Sequence, residues 1–224
     1  VLKVYDKGEK ELLRLTFSHG ESVICSPDHM WTLKKARTGK LENKKVEELY
    51  DDLRYTNGRY KWALPSKPIV NFDSQPVTID PYLLGAYIGD GFVMFNDKKP
   101  NSPNVCFTLG YKKQSVLGKI YSTYPEEDIA RYEEPTFVRL RLTKNTGRLV
   151  FSQLCDLGLF GKGSTTKFIP SAYLFNSQHV REELLNGLLA TDGYVRQDGR
   201  ISYTTASERL AEDVKFLAQS LGYS

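Results

Sequence analysis

The chain has 224 residues, of which 40% are hydrophobic and 26% charged, a composition typical of a folded globular protein rather than a disordered or fibrous one. Its 31 Lys and Arg residues exceed its 27 Asp and Glu residues, and the net charge of +4 permits nucleic acid as a partner without requiring it. The longest nearly apolar run, residues 82–89, is far too short to cross a bilayer, and no basic segment followed by an apolar one opens the chain. We therefore expect that the protein neither binds a membrane nor is secreted. Three well-separated cysteines without a CxxC motif favour a reducing, cytoplasmic location.

The opening region of the sequence has the pattern of short strands joined by turns. Apolar and polar residues alternate in LKVYD, LLRLTF and SVIC, and the turn sequences KGEKE and SHGE lie between them. Apolar residues at helical spacing predict a short amphipathic helix over 44–53. Three prolines in ALPSKPIVNFDSQP then mark a boundary, so the sequence predicts a β-rich domain over 1–78 and a second domain over 79–224.

A dodecapeptide occurs twice in the second domain. YLLGAYIGDGFV (82–93) and LLNGLLATDGYV (184–195) align residue by residue, and each is followed by a predicted strand and an amphipathic helix. The repeating unit is therefore helix, strand, strand, helix, and Asp80 before Pro81 predicts that the first helix begins at residue 81. In the first repeat (79–178) we also expect a strand at TFVRLRLT, a helix at RLVFSQLCDLGLF and a strand at GSTTKFIP. The incomplete second repeat (179–224) has no counterpart of these.

Each repeated helix carries a glycine, Gly85 or Gly187, followed by another small residue, Gly89 four positions later in the first helix and Ala190 three positions later in the second. Small residues at this spacing let two backbones approach closely, so we expect the helices to pack about a pseudo-twofold axis. Their packing brings Asp90 and Asp192 together at helix C-terminal ends, where the helix dipole disfavours a carboxylate unless a cation lies beside it. Two such carboxylates form a hard-oxygen site suited to Mg²⁺ or Mn²⁺. An isolated Asp-Gly pair is more often only a turn, but its repetition favours the metal site.

The two dodecapeptides resemble the LAGLIDADG motif of homing endonucleases, and two motifs in one chain are typical of the single-chain members. The resemblance implies an α+β fold whose pseudo-twofold αββ repeats form a saddle over double-stranded DNA, and Mg²⁺-dependent phosphodiester hydrolysis at a specific site. KFIPSAYLF is similar to a block that precedes the second motif in endonucleases embedded in inteins. Carried over to this chain, Asp90 and Asp192 are the catalytic metal ligands, and Lys167 is the lysine that polarises the attacking water or the scissile phosphate.

GESVICSPDHMWTL resembles the intein block in which a hydroxyl residue and a histidine lie three residues apart, here Ser26 and His29. This resemblance implies an incomplete Hint-type splicing domain over 1–78, in which His29, beside Ser26, hydrogen-bonds the upstream splice junction. Host-protein exteins are then partners, and a complementary intein fragment is a further candidate. The first nucleophile and the terminal His-Asn pair of an intein are not found between Val1 and Ser224, so we expect that the chain as given cannot splice itself.

The strand TFVRLRLTK alternates apolar with basic side chains, which predicts a sheet with one face in the core and one cationic face. We expect this face, together with residues of the two repeat hairpins, to contact phosphates and base edges of DNA. The predicted DNA-binding residues are Lys98, Lys99, Arg139, Arg141, Arg196 and Arg200. Two alternatives stay open: a DNA-binding module that has lost cleavage, and one piece of a split intein that acts mainly in protein splicing.

Overall fold

The computed structural model divides the chain into two compact units, Val1–Ser66 and Lys67–Ser224. Both helices and strands are present, so the expected mixture of α and β structure is confirmed. No helix in the described part of the chain is long and apolar enough to span a membrane. The structure describes residues 4–6, 8–18, 20–65, 68–96 and 99–223, and it describes side chains for all of these except 96 and 99–102.

The first unit consists of short antiparallel strands in two small sheets. The strands are β1 (Leu13–Thr16), β2 (Ser22–Cys25), β3 (Met30–Lys35), β4 (Leu41–Lys45) and β5 (Trp62–Ala63). β1 pairs with β2 in one sheet, and β3 lies between β4 and β5 in the other. Leu33, Leu49 and Trp62 form a small hydrophobic cluster against which Trp31 packs.

Two predictions for this unit are wrong. The amphipathic helix expected over 44–53 is replaced by the end of β4 and a single 3-10 turn, Glu47–Leu49. The turn is enough to bury Val46 and Leu49, so the apolar spacing reflects one turn and not a continuing helix. The strand expected at LKVYD is absent from residues 4–6, and the rest of that segment lies outside the described residues.

The second unit contains the two repeats. Its elements are α1 (Pro81–Asp90), β6 (Gly91–Asn96), β7 (Lys99–Gly110), α2 (Gln114–Thr123), β8 (Ile129–Glu133), β9 (Phe137–Leu142), α3 (Lys144–Asp156), α4 (Ser171–Leu174), α5 (Gln178–Asp192), β10 (Gly193–Val195), β11 (Ile201–Tyr203) and α6 (Glu208–Ser220). Helix, strand, strand and helix occur in this order in both repeats, as predicted. The Asp80 side chain accepts a 3.1 Å hydrogen bond from the Leu83 amide and caps α1, which confirms where that helix begins.

The first repeat has a four-stranded antiparallel sheet in the order β6-β7-β9-β8, whereas the second repeat has only the β10-β11 pair. One large hydrophobic core joins the helices and the sheet; it includes Leu84 of α1, Phe107 of β7, Leu140 of β9 and Leu184 of α5. The strand expected at TFVRLRLT and the helix that follows it are confirmed as β9 and α3.

The prediction of a strand at GSTTKFIP is wrong. The segment forms turns and extended backbone that are hydrogen-bonded to α6 and to its N-cap residue. The Ser207 hydroxyl donates to the Lys167 carbonyl oxygen at 2.7 Å, and the Ile169 amide donates to the Asp213 carboxylate at 2.9 Å. These side chains satisfy backbone groups that a neighbouring strand would otherwise bind. The segment instead places Ile169 in the core and Lys167 beside α1.

The two units divide earlier than residue 78, because residues 68–79, which we call the strap, pack on the second unit. The Val70 amide donates to the Ser220 carbonyl oxygen at 2.8 Å, and the Ile79 amide donates to the Tyr173 hydroxyl at 2.9 Å. Arg181 is fully buried; it donates to the Val70 carbonyl and the Ser220 hydroxyl, and its guanidinium lies 5.0 Å from the Phe72 ring centroid. Burial lowers the pKa of this arginine. The assignment of each unit to a domain type stays a prediction.

Candidate active site

The two repeated helices meet backbone to backbone at their glycines. A Cβ atom on Gly85 would overlap the Leu184 carbonyl oxygen, and a Cβ atom on Gly187 would overlap the Tyr82 carbonyl oxygen. The contacts are reciprocal, since each glycine faces the other helix. The predicted close packing of α1 and α5 is therefore confirmed.

This packing brings the two acidic residues to adjoining helix ends. A Cβ atom on Gly89, the residue before Asp90, would lie 3.1 Å from the Oδ2 atom of Asp192. Desolvation raises the pKa of Asp192, and the negative charge of Asp90 raises it further. The structure thus places the predicted carboxylates together at the ends of α1 and α5.

Lys167 lies at the same helix ends and caps α1. Its Nζ atom donates to the carbonyl oxygens of Tyr87 (3.2 Å), Ile88 (2.8 Å), Gly89 (3.3 Å) and Gly91 (2.9 Å). Desolvation lowers the pKa of Lys167, whereas the charges of Asp192 and Asp90 oppose this shift. The lysine therefore offsets the negative end of the helix dipole as well as the charge of the two carboxylates.

A second lysine that the sequence analysis missed also belongs to this site. Lys113, at the N-cap of α2, forms an ion pair with Asp90, and both side chains are partly exposed. Its positive charge also lowers the pKa of Asp192. Lys113 lies outside the repeated dodecapeptide and belongs to no motif of its own. The only signal in the sequence is its position directly after the predicted strand of the first repeat. In the second repeat the corresponding N-cap residue is Ser207, which bonds to the Lys167 carbonyl.

Tyr203 of β11 is a further neighbour that sequence reasoning missed. Its hydroxyl is buried and has no hydrogen-bond partner among the described residues. Burial raises the pKa of this tyrosine, and the charges of Asp192 and Asp90 raise it further. A buried hydroxyl near two carboxylates can donate to an oxygen atom of a bound ligand.

The residue set fits a divalent cation. Two carboxylates supply hard oxygen ligands, and the two lysines limit the cost of placing them at negative helix ends. The described residues contain no group of three or more His, Cys, Asp or Glu side chains that could hold a metal. A cation at this site would therefore take its remaining ligands from water, backbone oxygens or substrate phosphate, which is a common arrangement for Mg²⁺.

The predicted cationic face of the sheet is confirmed in β9. Val138, Leu140 and Leu142 are fully buried, whereas Arg139 and Arg141 are half-buried on the opposite face. Their guanidinium groups lie 5.7 Å from the Phe137 ring centroid and 5.1 Å from the Tyr132 ring centroid, respectively. Aromatic contacts of this kind restrain the orientation of the guanidinium group, so that less side-chain entropy is lost when an anion binds to it.

The other predicted DNA-binding residues lie on or near the repeat hairpins. Arg196 and Arg200 flank the turn between β10 and β11, with their Nε atoms 3.9 Å and 3.6 Å from a carboxylate oxygen of Asp198. Lys98 lies outside the described residues, and Lys99 is described only as backbone of β7. Contact of any of these residues with DNA stays a prediction.

Ser26 and His29 occupy the turn between β2 and β3 in the first unit. The His29 amide donates to the Ser26 carbonyl oxygen at 3.0 Å. A hydrogen bond from the Ser26 side chain, together with the Lys10 ammonium, lowers the pKa of Asp28 to about 2. The exposed His29 ring lies edge to face with Trp31 at 5.7 Å. The two predicted residues are thus adjacent, and their role in splicing stays a prediction.

Comparison with known proteins finds similar sequences within much longer chains. The chain is 30% identical over 227 residues to the replicative DNA helicase DnaB of Mycobacterium intracellulare, covering 92% of this chain and 34% of that protein. It is 43% identical over 70 residues to the ATP-dependent DNA helicase Hel308 of Thermococcus kodakarensis, covering 29% and 6%. A DNA polymerase of Thermococcus aggregans is 27% identical over 143 residues, covering 63% and 7%. The chain thus spans about a third or less of the length of these relatives.

Comparison with solved structures and with family models finds further similarities. A structure of I-DmoI in complex with its target DNA and in the presence of Mn matches with a TM-score of 0.45 and 17% identity, covering 64% of this chain and 75% of that chain. A structure of I-DmoI in complex with DNA and Ca matches with a TM-score of 0.43 and 17% identity, covering 64% and 71%. Residues 179–224 match the family model described as a LAGLIDADG-like domain. The family match thus coincides with the second repeat.

Proposed function

We propose that the second unit is a site-specific endonuclease that hydrolyses phosphodiester bonds of double-stranded DNA with Mg²⁺ or Mn²⁺. The observation that carries the proposal is the reciprocal glycine contact of α1 and α5, because it sets Asp90 and Asp192 at adjoining helix ends. Carboxylates so placed are costly unless a positive charge lies beside them, and a pair of them is a common way to hold a metal against phosphate. The LAGLIDADG-like domain match of 179–224 is independent support.

Each residue of the site has a separate task in this mechanism. Asp90 and Asp192 would hold a divalent cation, which supplies Lewis-acid stabilisation of the phosphate charge when it is bound. Lys167 provides a fixed positive charge at the end of α1. Its Nζ atom would exchange one of its hydrogen bonds to backbone carbonyl oxygens for a bond to a phosphate oxygen or to the attacking water. Arg139 and Arg141 on the sheet face bind the DNA backbone and position the scissile bond.

We also propose that the chain is an element embedded in host proteins and that the first unit belongs to a splicing domain. Its matches occur in two helicases and a DNA polymerase and cover only 34% of one, 6% of another and 7% of the third. A segment common to proteins with different activities is best explained as a shared insertion rather than as part of helicase or polymerase function. The turn that carries Ser26 and His29 supports splicing as the function of the first unit.

The test of the nuclease proposal presents the full chain with a library of randomised DNA duplexes in Mg²⁺ or Mn²⁺ and sequences the ends that form. We expect cleavage within a defined sequence and none after chelation of the metal. Asp90→Asn and Asp192→Asn should each abolish cleavage and leave DNA binding within about tenfold, or 1.4 kcal/mol, because loss of a carboxylate also relieves repulsion with phosphate.

A matched control is Asp156→Asn, because Asp156 is also the last residue of a helix. This variant should cut at the rate of the unchanged protein. If Asp90→Asn and Asp192→Asn both cut at the rate of the unchanged protein, the metal-site assignment is wrong.

A further inference from the structure

Two neighbouring hairpins of the first unit present basic residues at their tips. The first hairpin joins β3 to β4, and the second spans residues 53–61, where the Tyr55 amide donates to the Arg59 carbonyl oxygen at 2.9 Å. The hairpins are linked by a 2.9 Å hydrogen bond from the Ala36 amide to the Lys61 carbonyl oxygen and by the pairing of β3 with β5. Their tips therefore lie side by side, and we call them together the basic hairpin surface.

The positive charges on this surface are not neutralised by nearby acids. Within the described residues, none of its six cations forms an ion pair with a carboxylate. These cations are Lys34, Lys35, Arg37, Lys40, Arg54 and Arg59; Lys35 is half-buried and the others are exposed. Two of the neighbouring acids pair with other lysines: Asp52 pairs with Lys61, and Glu48 lies 3.7 Å from Lys44. Clustered like charges repel one another and destabilise the folded state unless an anion binds to them.

Two of the arginines are held in place by tyrosine rings. The Arg37 guanidinium lies 4.0 Å from the ring centroid of Tyr55, a residue of the other hairpin, and the Arg54 guanidinium lies 3.9 Å from that of Tyr60. Arg54 also donates to the Gly58 carbonyl oxygen at 2.7 Å. A stacked guanidinium keeps donors free in a fixed plane that suits the paired oxygens of a phosphate. The arrangement therefore lowers the entropic cost of binding a phosphate anion.

We propose that the basic hairpin surface binds the sugar-phosphate backbone of duplex DNA. The proposal rests on the endonuclease function proposed above, which makes duplex DNA the polyanion that this chain meets. The six cations are distributed over two hairpins instead of converging on one pocket, which suits a row of phosphates better than a single phosphate group. Backbone contacts carry no sequence information, so this surface adds affinity and salt dependence without reading bases.

The experiment measures binding of the full chain to a fluorescent random-sequence DNA duplex at several salt concentrations, without divalent metal. Lys40→Gln combined with Arg59→Gln removes two exposed charges at the hairpin tips. Each lost phosphate contact lowers the slope of log affinity against log salt by about 0.9, so the double variant should lose about 2. A triple variant that also carries Arg37→Gln should lose about 3.

The matched control is Arg14→Gln combined with Lys45→Gln, which removes the same charge from the same unit outside the hairpin tips. This control should keep the slope of the unchanged protein, and melting curves should show that all variants are folded. If the triple variant destabilises the unit, the double variant decides, because both of its side chains are exposed at turns. Equal slopes for the double variant and the control would overturn the proposal.

A cleavage assay at low salt and saturating protein separates this inference from the proposed function. Under these conditions the hairpin variants should cut at the rate of the unchanged protein, because the loss of the substituted charges affects only the affinity for DNA. If cleavage is intact while the salt slopes are equal, the inference fails and the nuclease stands. If Asp90→Asn still cuts while the slopes differ as expected, the nuclease site is wrong and the hairpin surface stands.

Discussion

Lys113 shows how a single side chain can oppose the binding of a metal. Its ion pair with Asp90 occupies a carboxylate that a divalent cation needs as a ligand. An ammonium in this place keeps the cation-free site stable, because it compensates the charge that the helix dipole disfavours. A cation that binds the Oδ2 atom of Asp90 therefore has to displace the lysine.

We predict that Lys113→Met strengthens the binding of Ca²⁺ to the DNA-free chain. A partly exposed ion pair contributes up to about 1 kcal/mol to the stability of the cation-free site. Without Lys113 as a competitor for Asp90, the Kd for Ca²⁺ should fall about two- to fivefold. Isothermal titration calorimetry measures this directly. Lys113→Arg should bind like the unchanged protein, and so should Lys112→Met, which alters the exposed neighbouring residue. Unchanged affinity in Lys113→Met would contradict the competition.

At the level of elements, the contact of α1 with α5 leaves no room for a side chain at either glycine. We predict that Gly85→Ala and Gly187→Ala each destabilise the second unit by about 1–3 kcal/mol, because the new methyl group would force the backbones apart. Thermal or denaturant unfolding of the full chain provides the measurement.

Gly118 in α2 gives the matched control, since a Cβ atom placed there meets nothing within 4 Å. Gly118→Ala should stabilise the chain by about 0.5–1 kcal/mol through lower entropy of the unfolded state. A loss of stability in this control equal to that at Gly85 would mean that helix contact is not the cause.

The same elements show what the sequence can and cannot reveal. The glycines, the cap at Asp80 and the alternation in β9 are local patterns, so they were predictable without the fold. The sequence alone predicts a strand for the segment that carries Lys167, because its bonds to Ser207 and Asp213 arise only when α6 packs beside it. The role of Lys113 could not be predicted for the same reason, since its ion pair with Asp90 depends on where β7 ends relative to α1.

For the whole molecule, the two proposed activities use different residues in different units. We predict that His29→Ala slows acyl transfer at the upstream junction by about 10²–10³ in a precursor that carries the terminal splicing blocks, because a positioned donor is lost. DNA cleavage by the same variant should be unchanged. Lys167→Met should give the opposite result, with impaired cleavage and normal splicing.

A gel assay that follows both reactions in each variant makes this comparison. Normal splicing in His29→Ala would reduce Ser26 and His29 to an ordinary turn between two strands. Impaired splicing in Lys167→Met would mean that the two units depend on each other for folding or activity.

The contact between the strap and α6 has a consequence for the stability of the second unit. Val70 lies in the strap and Ser220 lies at the end of α6, and a 2.8 Å hydrogen bond joins their backbones while Arg181 binds both. A buried guanidinium that loses its acceptors carries the full cost of its desolvation. Detaching the strap would therefore leave Arg181 as an unpaired buried charge, so that the strap and α6 should come apart only when the surrounding core unfolds with them.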